Sequence, residues 1–164
     1  MKEIFRRTSV RRFEDREVEQ EKIEKILRAG MQSPTAGNQQ PWIFYVVKDR
    51  DTLQKLAATS PYAGCVKDAP MAIVIVYRQD VRYPEYAQID CSIAAENIWL
   101  EADALDLGSV LLGIAPIRER MDAVRDVLGF PEDQYAFGIL PVGYPVSVKP
   151  QQDRFDPAKI RYID

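Results

Sequence analysis

The 164-residue chain contains no histidine. That absence excludes Ser-His and Cys-His nucleophile pairs and most zinc sites, which rely on an imidazole as base or ligand. Difficult chemistry, if the protein performs any, then falls to a bound cofactor. Cysteine is almost as scarce. Cys65 and Cys91 stand alone without CxxC spacing, and they read as small buried residues of a reducing compartment rather than as a disulfide or redox pair. Basic charge is not in excess either: 22 Lys and Arg against 25 Asp and Glu give a net charge of -3. No broad face for nucleic acid is expected, although a local basic cluster can still bind one phosphate. No stretch reaches membrane-spanning length and no apolar leader is present, so a cytoplasmic protein without a membrane partner is expected. GxGxxG, internal repeats and low-complexity runs are missing as well.

What is present has the balance of a globular chain, 46% hydrophobic and 29% charged, and residues 1–164 read as one domain. The stretch Ser33-Pro34-Thr35-Ala36-Gly37-Asn38-Gln39-Gln40-Pro41-Trp42 is its pivot. Two prolines fix the backbone, Gly37 permits a left-handed turn, and small polar side chains lie between those rigid points. An ordinary link before a buried Trp would use similar residues, yet long ordered loops tend to carry function. The run Arg6-Arg7-Thr8-Ser9-Val10-Arg11-Arg12 is the second candidate. Guanidinium forks beside hydroxyls suit a phosphate clamp, and a solvated basic turn paired with Glu14, Asp15 and Glu17 is the alternative.

Between these stretches the periodicity predicts the elements. A short helix is expected over residues 2 to 8, and Glu19 to Met31 repeats Ile23, Ile26, Leu27, Gly30 and Met31 as a buried helical face. Ile43–Val47 and Met71–Tyr77 read as strands covered on both faces. Asp51 is the candidate cap of a helix through Thr59. Tyr86 to Leu107 is the longest helical stretch, with Ile89, Ile93, Leu100, Ala104 and Leu107 along one stripe and alanines, Ile98, Trp99 and Leu105 widening it. A helix apolar on several sides is either central or covered by a partner subunit. Gly108–Gly113 reads as a strand, Ile117–Leu128 as a helix stopped by Gly129, and Ala136–Tyr144 as a strand placed at an edge or bulge by Pro141. The tail from Pro145 ends in the alternating Ile160-Arg161-Tyr162-Ile163, the pattern of a segment that docks elsewhere.

Taken together, Arg7-Thr8-Ser9-x-Arg11-x-Phe13, the loop 33–42, Ala104-Leu105-x-Leu107-Gly108-Ser109, and Gly143-Tyr144-Pro145 followed by Arg154-Phe155 resemble the FMN-dependent nitroreductase family along nearly the whole chain. The resemblance implies an α+β, three-layer fold with a central mixed sheet between helices. It also implies a homodimer with FMN at the interface and a tail, 145–164, exchanged with the partner subunit. It places Arg7, Thr8 and Ser9 at the FMN phosphate and ribityl chain, with Arg154 closing the phosphate site. Arg11 falls near the N1 and O2 edge of the flavin, where a fixed cation favours the reduced, more negative ring. Pro34, Thr35 and Ala36 match the stretch that approaches from the partner, Asn38 a polar residue lining the same site, and Leu111-Leu112-Gly113 the turn whose backbone amide faces N5. No metal and no catalytic side chain is implied. The implied activity is ping-pong transfer of electrons from NADH or NADPH to a small aromatic acceptor such as a nitroaromatic or quinone. Dehalogenation, azoline oxidation or flavin destruction on the same scaffold, and a binding protein that has lost FMN, are the alternatives. Longer members carry an amide and a lysine where Tyr62 and Cys65 stand here, with Lys67 out of register, so those three stay outside the implied site.

Overall fold

In the computed structural model, which describes residues 2–163, β2 (Met71–Arg78) forms the spine of the sheet. Its run of apolar residues is buried from Met71 through Tyr77 on both faces, as a central strand requires. It pairs antiparallel with β1 (Trp42–Val47) on one side and with β5 (Gln134–Gly143) on the other. Beyond β5 lie two short strands, β3 (Gly108–Ser109) and β4 (Leu112–Gly113), both antiparallel to it. Every ladder among the described residues is therefore antiparallel. The parallel contact is an isolated bridge between Ser9 and Ser109, which extends the sheet by the N-terminal segment.

Helices cover both faces. α1 (Glu3–Arg6) and α2 (Gln20–Met31) pack on α4 (Ala87–Ala104), which lies against the sheet, while α3 (Arg50–Ala57) and α5 (Arg118–Leu128) pack together, α5 against β5. In α2, Ile23, Ile26 and Gly30 are buried, and Gly30 is small because Ile98 of α4 approaches it: an added Cβ would sit 2.8 Å from the Ile98 side chain. Gly129 ends α5 in a left-handed conformation, as its position predicts.

Several expectations are corrected. The cap of α3 is Asp49, not Asp51; its carboxylate accepts from the backbone N–H of Thr52 at 2.8 Å, so the helix starts two residues earlier than a cap at Asp51 allows. β1 is an edge strand with Val46 exposed, so it is not covered on both faces. The stretch 108–113 is two strands rather than one. β5 is not at an edge, and its irregularity opposite Ile75 and Val76 skips Phe137, not Pro141; Pro141 sits instead where the neighbouring strand is interrupted between β3 and β4. Met31 and Ile117 are exposed. Of the expected stripe, Ile89 is 54% exposed and Ala104 is exposed, Ile93 and Leu100 are half-buried, and Leu107, beyond the end of α4, is buried, while Ala87, Cys91, Ala94, Ala95, Ile98 and Ala102 face the core. Small residues on this face let the helix axis come close to the sheet, with Ile98 the large apolar side chain among them. Residues 145–163 run extended over the surface with a single turn at Pro157–Lys159, and Ile160–Ile163 form no strand.

Candidate functional site

The N-terminal segment is fastened to one face of α4. Arg6 donates through Nε to the Asp103 carboxylate at 2.8 Å and through Nη2 to the Asp103 carbonyl. The Arg7 guanidinium lies 3.8 Å from the centre of the Trp99 ring, and its Nε is 3.5 Å from the Glu96 carboxylate. That nitrogen is buried yet has no hydrogen-bond partner among the described residues, and neither does the buried hydroxyl of Ser109. The segment then adds to β3, where the Val10 N–H donates to the Ser109 carbonyl at 2.9 Å. Gly108 makes this approach feasible, since a Cβ there would lie 2.7 Å from Val10.

The chain beyond β5 returns along the same segment. Val146 donates to the Arg12 carbonyl at 3.2 Å and the Gln151 side chain to the Arg7 carbonyl at 2.9 Å. Between the two runs opens a cavity of about 420 Å³, lined by Thr8, Ser9, Arg11, Arg12, Ser147, Lys149 and Arg154 among others, with no acidic residue in its wall. None of its four cations makes an ion pair among the described residues. A second cavity of about 590 Å³, lined by Phe5, Arg7 and Phe155 among others, shares Arg154, Gln151 and Gln152 with the first. Unneutralised cations beside three hydroxyls are the donor set for a phosphate.

The pivotal loop is held on a different face of the same helix. Asp90, only 2% exposed, accepts from the Ala36 N–H at 3.0 Å and from the Gln39 side chain at 2.7 Å. Gln39 is clamped in turn by the backbone of Tyr83, donating to its carbonyl at 3.0 Å and accepting from its N–H at 2.9 Å. Asn97 donates to Ser33 at 2.8 Å. The loop turns through left-handed conformations at Gly37, Asn38 and Gln40, and the Thr35 hydroxyl accepts from the Gln40 N–H. At about 100° per residue, Asp90 and Asn97 lie nearly above one another, and Glu96 and Asp103 share a face about 120° away.

The sequence candidates therefore fall into three groups. Arg7, Thr8, Ser9, Arg11 and Arg154 converge on the paired cavities. Pro34, Thr35, Ala36 and Asn38 sit on the Asp90 face, and no hydrogen bond or ion pair joins them to the arginines among the described residues. Leu112 and Gly113 lie on β4, Leu112 buried and Gly113 exposed. Sequence reasoning placed Arg12 in the candidate phosphate clamp but missed Lys149 and Asp90. Lys149 is an ordinary surface cation until the chain fold pairs its segment with the arginine run. Asp90 did carry a signal, as a single acid in the turn before an alanine-rich helical face.

A model of the nitroreductase family matches residues 4–60 and 58–144. The chain belongs to the nitroreductase family. An Archaeoglobus fulgidus relative named "Putative NADH dehydrogenase/NAD(P)H nitroreductase" is 42% identical over 98% of this chain and 95% of its own length. A Clostridium acetobutylicum crystal structure described as "Putative NADH Oxidase" superposes with a TM-score of 0.94 at 44% identity, covering 97% of both chains. An FMN-dependent nitroreductase of Clostridium difficile R20291 gives 0.92 at 29% identity, covering 99% of this chain and 98% of that one. This nitroreductase-family chain thus shares an α+β fold and oxidoreductase kinship along nearly its full length. Among its described residues, no helix is long and apolar enough to cross a membrane, and no cluster of acids and cysteines could hold a metal ion.

Proposed function

We propose that the protein is an FMN-dependent NAD(P)H oxidoreductase that reduces nitroaromatic or quinone-like acceptors as a homodimer. The observation that carries this reading is the acid-free cavity with three hydroxyls and four cations that make no ion pair among the described residues, in a chain of this family. Arg7, Thr8, Ser9 and Arg154 would hold the phosphate and ribityl chain, and Arg11 would lie beside the pyrimidine edge of the flavin. When bound, FMN supplies the two-electron chemistry that links a nicotinamide donor to the acceptor. Arg11 contributes a fixed positive charge that lowers the free energy of the more negative, reduced form without titrating. A backbone amide of β4 at Leu112-Gly113 would donate a hydrogen bond to the flavin, and water or the flavin would supply protons, so no histidine is required. Pro34, Thr35, Ala36 and Asn38 close the site of the partner subunit, which is why they stand apart from the arginines within one chain, and the tail 145–164 crosses in the same way. Donor and acceptor occupy one exposed position in turn, the order of a ping-pong cycle.

The test is the visible absorption spectrum of the purified protein, followed anaerobically as NADH and then NADPH is added. Flavin bands that bleach with one nucleotide are the expected outcome, and absence of bands after soaking in FMN would overturn the reading. Arg7→Ala, Arg11→Ala and Arg154→Ala should each weaken FMN retention by roughly tenfold or more, the scale of one charge-assisted hydrogen bond. Full occupancy in all three would remove these residues from the site.

A further inference from the structure

We propose that Arg120 and Tyr62 form an anion-recognising rim beside Gly113 that selects flat aromatic acceptors carrying a carboxylate. What docks there rests on the reading above, in which the acceptor approaches the turn at Leu112-Gly113. α5 carries three arginines, and their pairing separates them. Arg118 lies 3.1 Å and Arg125 2.9 Å from the carboxylate of Asp122, whereas Arg120 makes no ion pair among the described residues. Its guanidinium turns toward β4 instead, 3.5 Å from the Gly113 carbonyl and 5.5 Å from the centre of the Tyr62 ring.

Three features give this corner the chemistry of an aromatic acid site. Arg120 stands in the first turn of an eleven-residue helix, where the helix dipole opposes a cation and favours an anion. A cation without an acid partner in that position is relieved by an incoming carboxylate, which also accepts a two-pronged hydrogen bond from the planar fork. Tyr62 is 71% exposed and offers a ring face for stacking. Gly113 is exposed, and no atom lies within 4 Å of where its Cβ would stand, so a planar molecule has room against the strand. A neutral acceptor can use the ring and the open strand but gains nothing from the guanidinium.

The experiment is calorimetric titration of the purified protein, with whatever flavin it carries, using 4-nitrobenzoate and the neutral 4-nitrobenzyl alcohol. Steady-state reduction of both compounds is measured alongside. In Arg120→Ala and Arg120→Gln, Kd and KM for nitrobenzoate should rise about tenfold or more, while those for the alcohol change less than about twofold and kcat is kept. Tyr62→Ala should weaken both compounds together. Equal losses for the acid and the alcohol in the Arg120 variants, or no loss for either, would overturn the proposal while leaving the oxidoreductase reading intact. Arg120-dependent binding of nitrobenzoate to a protein that takes up no flavin would keep the anion site and defeat the oxidoreductase reading.

Discussion

Replacing Asp90 by alanine should be among the most damaging single changes away from the cavity. The carboxylate is buried and accepts two hydrogen bonds from the loop, from the Ala36 N–H at 3.0 Å and from Gln39 at 2.7 Å. Bonds to a charged acceptor contribute roughly 1.5–3 kcal/mol each, and removing the acceptor leaves both donors unpaired. Water can reach part of this surface loop, so about 3 kcal/mol is the working figure rather than the full sum. For a chain of this size that corresponds to a Tm lowered by about 6–12 °C. Asp90→Asn should fall between. Its amide oxygen still accepts from Ala36, but its NH2 group meets the NH2 group of Gln39. Gln39 cannot simply rotate its amide, because both ends are fixed by the Tyr83 backbone. A loss of about 1–2 kcal/mol follows. Thermal melts at fixed protein concentration check the order native, Asn, Ala, and a double-mutant cycle with Gln39→Ala should give a coupling of at least about 1 kcal/mol. An Asp90→Ala protein melting within about 1 °C of the parent would show that the loop is not held from α4.

Other consequences follow from particular contacts. Gly143→Ala would place a Cβ 2.6 Å from Cδ of the stiff Pro70 ring and 3.1 Å from Phe13, so a loss of about 1–3 kcal/mol in urea unfolding is expected. The Glu19 carboxyl is held down at about 2, first by the Tyr144 hydroxyl, which donates to it at 2.7 Å, then by its own backbone N–H. A depressed carboxylate contributes stability that is full above its ordinary value of 4.5 and lost as pH falls toward about 2, so Tyr144→Phe should flatten that acid limb in Tm measured against pH. Burial pushes the Cys91 thiol up to about 12 and raises Cys65 as well, so at mildly alkaline pH a thiol reagent should leave Cys91 unmodified until denaturant is added.

The elements most readable from sequence were those whose burial is decided locally. The apolar run Met71–Tyr77 is a central strand, and the period of Ile23, Ile26 and Gly30 is a buried helical face. Cap and edge positions were less readable, because they depend on which neighbour arrives. Asp49 and Asp51 both precede apolar helix residues, and only the backbone turn before Thr52 selects the first. Pro141 signalled an edge by its missing N–H, but an interruption between β3 and β4 accommodates it inside the sheet. In α4 the larger side chains marked the wrong face, since alanines form the closer contact with the strands. Arg7, Thr8, Ser9 and Arg11 were legible as a cluster because they are adjacent in sequence. Lys149 and Arg154 join them only through the return of the chain after β5.

The same helix explains why one chain leaves the proposed site unfinished. The arginine segment rests on Glu96, Trp99 and Asp103, and the loop rests on Asp90 and Asn97, about 120° around a regular helix. In the proposed homodimer, a second copy would present the loop face of its α4 to the arginine segment of the first. Large apolar side chains lie on the outside at Phe5, 77% exposed, and at Ile89. Neither is buried within the chain, so Phe5→Glu and Ile89→Glu should leave the fold and its melting nearly unchanged if the chain acts alone. If copies pair through these surfaces, a buried unpaired carboxylate opposes association, and the mass measured by light scattering should fall from two chains toward one, with flavin released in proportion. A parent protein that runs as a single chain and still retains stoichiometric FMN would refute the two-copy site, because the loop on the Asp90 face would then have no part in holding the cofactor.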